Sequence, residues 1–173
     1  MNRLSRSVSA DTAWVLRTGL LVLAGIAIGA TAVELATERH WASPVQLVPW
    51  FALAVLALAL ALLAMRPRRR ALAVARSLAV LVLVASVYGV VEHVAANLDA
   101  GVLDATYSST WDSLPFATRL WYAVTKTVGP SPPLAPGVLA QSALLMLLAT
   151  WRHPASTLAT KVDQSAGTSN DGG

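Results

Sequence analysis

Glu92 and His93 stand side by side near the end of the apolar stretch VYGVVEHVAANLDA, residues 87–100, where a carboxylate and an imidazole have little company. The other polar groups set among apolar runs are Glu34, Glu38, His40, Gln46, Asn97 and Gln141. Three kinds of chemistry suit this set. A divalent metal ion could be held by Glu34, Glu92 and His93, with Glu38 or His40 completing the shell; imidazole plus carboxylate suits Zn, Mn, Fe or Ni, and oxygen ligands alone suit Ca or Mg. Adjacent helical residues diverge by about 100°, however, so Glu92 and His93 do not readily chelate one ion together. A His–Glu pair could instead titrate near neutral pH in contact with outside water. The third role is structural: buried Glu–His and Glu–Gln hydrogen bonds would decide which helix packs on which, at about 0.6–2 kcal/mol each. A b-type haem is disfavoured because His93 lacks a facing axial partner, His40 falling in a turn and His153 at the opposite end.

The elements that must position these groups are set by composition. Of 173 residues 55% are apolar and 13% charged, far from the balance of an ordinary water-soluble domain. There is no cysteine, which removes disulfides, thiolate metal sites, iron–sulfur clusters and thiol nucleophiles. Walker-type loops, dinucleotide-binding glycine turns, G-x-S-x-G and H-E-x-x-H are absent as well.

Four runs are apolar enough to cross a bilayer, near 15–36, 45–65, 74–96 and 135–152. The first could also be a signal peptide, since arginines precede it and small residues follow near Ala30, but it is longer than the usual apolar core. Arg3, Arg6, Arg17, Arg66, Arg68, Arg69, Arg70, Arg76, Arg152 and Lys161 fall on one side, against Arg39, Arg119 and Lys126 on the other. That imbalance predicts a multi-pass protein of the inner (cell) membrane with segment 1–14 and both termini cytoplasmic. RPRRR then reads as a cytoplasmic anchor near anionic headgroups rather than a nucleic-acid patch. The polar, Gly/Ser-rich tail 153–173 has nothing to bury and reads as disordered.

Counting helical rise places the polar groups in depth. Glu34 lies 17 residues beyond Arg17 and Glu92 16 beyond Arg76, so both stand ~24–26 Å above the inner arginines. Gln46 and Gln141 belong to the same outer layer, while the inner halves of the spans are Leu, Val and Ala. Ser86, Gly89, His93 and Asn97 share one stripe of span three with Glu92 beside it; Ala27, Thr31, Glu34 and Glu38 share a face of span one. The two stripes can meet, which makes Glu34 and His93 an expected coupled pair. Gly25 and Gly29 form a small-xxx-small pattern on the far side of span one, facing a second copy or another membrane protein.

Between spans three and four the segment 97–134 forms an extracytoplasmic loop, a second surface for a partner. Within it an amphipathic helix is expected over 113–126, capped by Ser113, with Phe116, Leu120, Ala123 and Val124 on one face and Thr118, Tyr122, Thr125 and Lys126 on the other. With Trp111 and Trp121 nearby, this is the pattern of a helix lying in the outer membrane interface.

Glu34, His40 and Trp41 closing span one, E-H-x-x-x-N in span three (Glu92, His93, Asn97), and PPLAPG followed by Gln141 entering span four resemble small, uncharacterised bacterial four-span inner-membrane proteins. The resemblance covers most of 15–155 and implies no activity. The reading is therefore an all-α integral membrane four-helix bundle with a short interfacial helix in its outer loop. It is expected to be a non-enzymatic membrane subunit or accessory protein, with extracytoplasmic cation handling as the alternative. An enzyme acting on a lipid or polyprenyl substrate through Glu34, Glu92 and His93 has no motif behind it.

Overall fold

A computed structural model describes residues 3–65, 68–151 and 153, with side chains from residue 11 onward. The expected disordered tail, apart from His153, lies outside the described residues, as do Arg66, Arg152 and Lys161. The described elements are helical throughout: α1 (Arg3–Thr37), α2 (Val48–Ala64), α3 (Arg69–Ala100), α4 (Phe116–Val124) and α5 (Ala135–Ala149), with short 3-10 turns at Val45–Leu47, Gly101–Leu103 and Trp111–Ser113.

Their ends follow local rules. Pro49 and Pro136 sit in the first turns of α2 and α5, where a missing N–H costs nothing. Helices α1 and α4 stop in the same way, with Arg39 (φ 50°) and Lys126 (φ 57°) taking the left-handed position usually given to glycine. Around Arg39 the amides of Arg39 and His40 donate to Ala36 O and Leu35 O at 3.1 and 2.9 Å; around Lys126 those of Lys126 and Thr127 donate to Ala123 O and Tyr122 O at 3.4 and 2.8 Å. A basic residue there also suits the negative end of the helix dipole.

Helix α5 packs along both α1 and α3, and α2 packs along α3 and α1. Helices α1 and α3 make almost no contact with each other, so they occupy opposite corners. The shared core is built from Ala24, Leu53, Leu56, Leu72, Ala79, Val82, Ala143 and Met146, alternating small and large side chains so that backbones approach closely. Buried hydroxyls are satisfied within their own helices: Thr31 donates to Ala27 O, Ser86 to Val82 O and Ser142 to Val138 O, at 2.9, 2.8 and 2.9 Å.

Three segments, Asp11–Thr37, Val45–Ala64 and Arg69–Leu103, are long and apolar enough to cross a membrane. Their best windows have mean hydropathies of 2.0, 2.6 and 2.1, yet only 11%, 22% and 22% of those windows is buried, so most of their apolar surface faces outward. The fourth expected span, 135–152, is shorter than its apolar run suggests: α5 has 15 residues, ~23 Å of rise, and ends at Ala149.

Candidate functional site

The polar residues singled out above are divided between two places. On α3 the stripe anticipated from spacing is the one turned inward. Ser86 and Asn97 are buried, Gly89 lies where a Cβ would sit 3.2 Å from Pro136, and His93 is half-buried. His93 Nδ1 is 2.8 Å from Pro132 O. Asn97 is fully buried; its Nδ2 donates to Ala123 O (3.0 Å) and Ser131 O (2.8 Å), and its Oδ1 accepts from Ser131 N–H (3.0 Å). One amide therefore joins α3, the end of α4 and the strap leading to α5. Gly129 must be glycine for two reasons: its φ is +79°, and a Cβ there would lie 2.3 Å from Asn97 Oδ1.

Around this knot the loop 101–134 folds into a fixed cap. Trp111 is buried over Gly101, where any Cβ would overlap the indole at 2.2 Å. The Tyr107 and Tyr122 rings pack at a tilt of 42° with centroids 4.8 Å apart, and Asp104 Oδ1 accepts from the amides of Thr106 and Tyr107 at 2.8 and 3.1 Å. Helix α4 is shorter than the expected 113–126. Pro115 delays its start until Phe116, and Ser113 caps nothing but donates to Thr110 O at 2.7 Å. Ala123 turns inward, Leu120 and Val124 are largely covered, and Phe116 and Trp121 are mostly exposed.

The second place is the turn between α1 and α2. Trp50 Nε1 donates to His40 O at 2.8 Å, Gln46 Oε1 accepts from Ala42 N–H at 2.7 Å, and the Trp41 and Trp50 rings lie 6.2 Å apart. Glu34, Glu38, Glu92 and Gln141 are all exposed, and the neighbour of Glu92 is Tyr88, one turn away. The expected inward face of α1 is thus rotated: Leu21, Ala24, Ile28, Thr31 and Leu35 line the core, and Glu34 flanks them.

This corrects the expected metal centre and the expected coupled pair. Among the described residues no three His, Asp or Glu side chains come together to hold a metal ion, and no Glu–His or Glu–Gln hydrogen bond joins two helices. The reason is the helix order, which puts Glu34 and His93 on two helices that barely touch. The glycine stripe is also reassigned in part. A Cβ on Gly25 would lie 3.3 Å from Leu60 of α2, so it faces inward, while Gly29 alone is open.

At the other end of the molecule, side chains that the sequence marked only as charge form a site of their own. Arg76 Nε donates to Thr150 Oγ1 at 3.0 Å and its Nη2 to Thr150 O, while Arg17 Nη2 reaches Trp151 O at 3.4 Å. Both guanidinium groups thus meet the last carbonyls of α5, where the helix dipole is negative. His153 lies beside them; burial first, then the Arg17 and Arg76 charges, hold its imidazole below the ordinary value. An arginine inside the first turns of an apolar helix, as Arg76 is, was the available signal, but topology accounts for it equally well. Comparison with protein-family models, curated proteins and solved structures finds no match for this chain.

Proposed function

We propose that this chain is an integral membrane protein of four spans, a non-enzymatic subunit or accessory protein that presents a rigid cap outside the membrane. The observation that carries the reading is Asn97: its three hydrogen bonds all go to the cap, and His93 adds a fourth contact to the same strap. His93 and Asn97 of α3 are thus used in holding the cap's shape. Three helices with mostly outward-facing apolar surface support the bilayer. The outward side chains of α4, led by Phe116 and Trp121, suit an interfacial helix at the cap's rim. Helix α5 reaches a shorter depth than the others, and the Arg17–Arg76 clamp on its last carbonyls compensates for its early end.

Because the chain has no cysteine, introduced ones report topology directly. A cysteine at Ser109 is expected to react with an impermeant reagent from outside and one at Ser169 only after permeabilisation; the reverse pattern would refute the orientation. Elemental analysis of mildly extracted protein with its co-purifying partners addresses the role. A stoichiometric partner without metal is expected. Stoichiometric metal lost in His93→Gln would establish the cation-handling reading instead.

A further inference from the structure

Helix α5 turns one face away from the rest of the chain. Leu134 at its N-cap, then Gly137, Gln141, Leu144, Leu148 and, just past its end, Trp151 recur at alternating spacings of three and four residues, the a and d positions of a heptad. Leu134, Leu144, Leu148 and Trp151 are between 47% and 72% exposed, Gln141 is exposed too, and a Cβ added to Gly137 would meet nothing within 4 Å. The residues that α5 buries, among them Leu139, Ala143 and Met146, fall on the opposite side. Two members of the outward stripe are unsuited to a surface that only lipid covers. Gln141 stands seven residues from Leu134 and ten from Trp151, ~10 and ~15 Å of helical rise, and its amide makes no hydrogen bond to any described residue. A lipid tail offers that amide no partner, and an unpaired polar group in hydrocarbon is costly. Gly137 gives up a side chain for which this chain has room, so the space it leaves suits a neighbour from outside.

We infer that two copies of this chain pair through α5, side by side and parallel, with Gln141 hydrogen-bonded to Gln141 of the partner subunit across a two-fold axis. Copies inserted in one orientation bring the same residue of each to the same depth, so the face must complement itself. An amide does so, because it carries both donors and an acceptor; a carboxylate or an ammonium would repel its own copy. Gly137, one turn away, lets the backbones come close enough for the amides to meet, and a single polar residue in an apolar seam fixes the register. The inference rests on the reading that α5 lies in a bilayer, which membrane fractionation tests separately. A chain absent from the membrane fraction ends that reading, whereas a monomer within it ends only the pairing.

The experiment uses the full chain in its membranes, with single cysteines introduced by Leu144→Cys or Leu148→Cys in the seam and by Leu58→Cys of α2 or Val84→Cys of α3, both also exposed, as controls. A short thiol crosslinker is expected to join two copies at the seam positions about tenfold more than at the controls. Added to Leu148→Cys, Gln141→Leu and Gly137→Leu should each cut that product severalfold. Neither removes a contact within the chain, so the unfolding midpoint of dilute, monomeric protein in detergent should stay in place, which separates lost pairing from lost folding. No product at the seam, or equal product at all four positions, would overturn the inference. So would an undiminished product in Gln141→Leu, which would leave only chance apolar contact, or a seam cysteine joined to a different membrane protein, which would give the face another occupant.

Discussion

Replacing Asn97 by alanine should release the cap without dissolving the helices beneath it. The wild-type amide is fully buried and makes three hydrogen bonds, at 3.0, 2.8 and 3.0 Å. At about 0.5–1.5 kcal/mol net for each bond, with Ser131 N–H left unpartnered, the loss comes to ~3 kcal/mol. Every 1.4 kcal/mol is a factor of ten, so the population of the opened cap should rise about a hundredfold. When opening and closing are fast, proteolysis tracks that population. Trypsin cleavage after Lys126 in detergent should therefore accelerate about a hundredfold, while far-ultraviolet circular dichroism stays close to that of the wild type. Asn97→Asp is the sharper control. It keeps the size and one acceptor but turns an oxygen toward the carbonyls of Ala123 and Ser131, so it should open the cap at least as much as alanine. An unchanged cleavage rate in both variants would show that the cap does not depend on this amide.

Gly101→Ala should also loosen the cap, because its Cβ would overlap the Trp111 ring; intrinsic fluorescence should shift toward longer wavelength, and an unshifted spectrum would contradict the packing. Glu34→Gln and His93→Gln should have additive effects on thermal stability, since α1 and α3 barely touch; a coupling above about 0.5 kcal/mol in the double mutant would contradict the helix order. His153 predicts a pH dependence whose sign follows from its lowered folded-state value. The unfolded chain takes up the proton first, so stability is full above the ordinary imidazole value, falls as pH drops through it, and levels off below the depressed one. Comparing unfolding midpoints from about pH 8 to about pH 5, His153→Gln should flatten part of that fall, and an unaltered profile would remove His153 from the account.

What the sequence made legible was whatever depends on one helix at a time. Apolar length located α1, α2 and α3, and the periodicity of Ser86, Gly89, His93 and Asn97 identified the inward side of α3, because four polar or small residues in a row fix a rotation. Glu34 was misjudged because α1 offers only Thr31 and two glutamates among Ala, Leu and Val, and a few polar groups leave the rotation open by a third of a turn. Helix order was illegible for a related reason: faces made of Leu, Val and Ala fit one another interchangeably, so nothing in their pattern says that α1 and α3 stand apart. The start of α4 was misplaced because Ser113 looks like a cap until Pro115 is weighed, and the clamp on α5 stayed hidden because an arginine beside an apolar run serves topology and capping alike.

The position of α5 between two helices that barely meet has a consequence for how the molecule is made. While the ribosome is still supplying residues before 135, α1 and α3 can be held together only through α2, and the groove between them that α5 will fill lies open. Lateral closure must wait for α5, the last of the described helices to emerge, which then locks as Arg17 and Arg76 find the carbonyls behind Ala149. Until that moment the growing chain is an unfinished enclosure that any neighbouring apolar helix could invade, so its safe assembly depends on how quickly the last few dozen residues follow the rest.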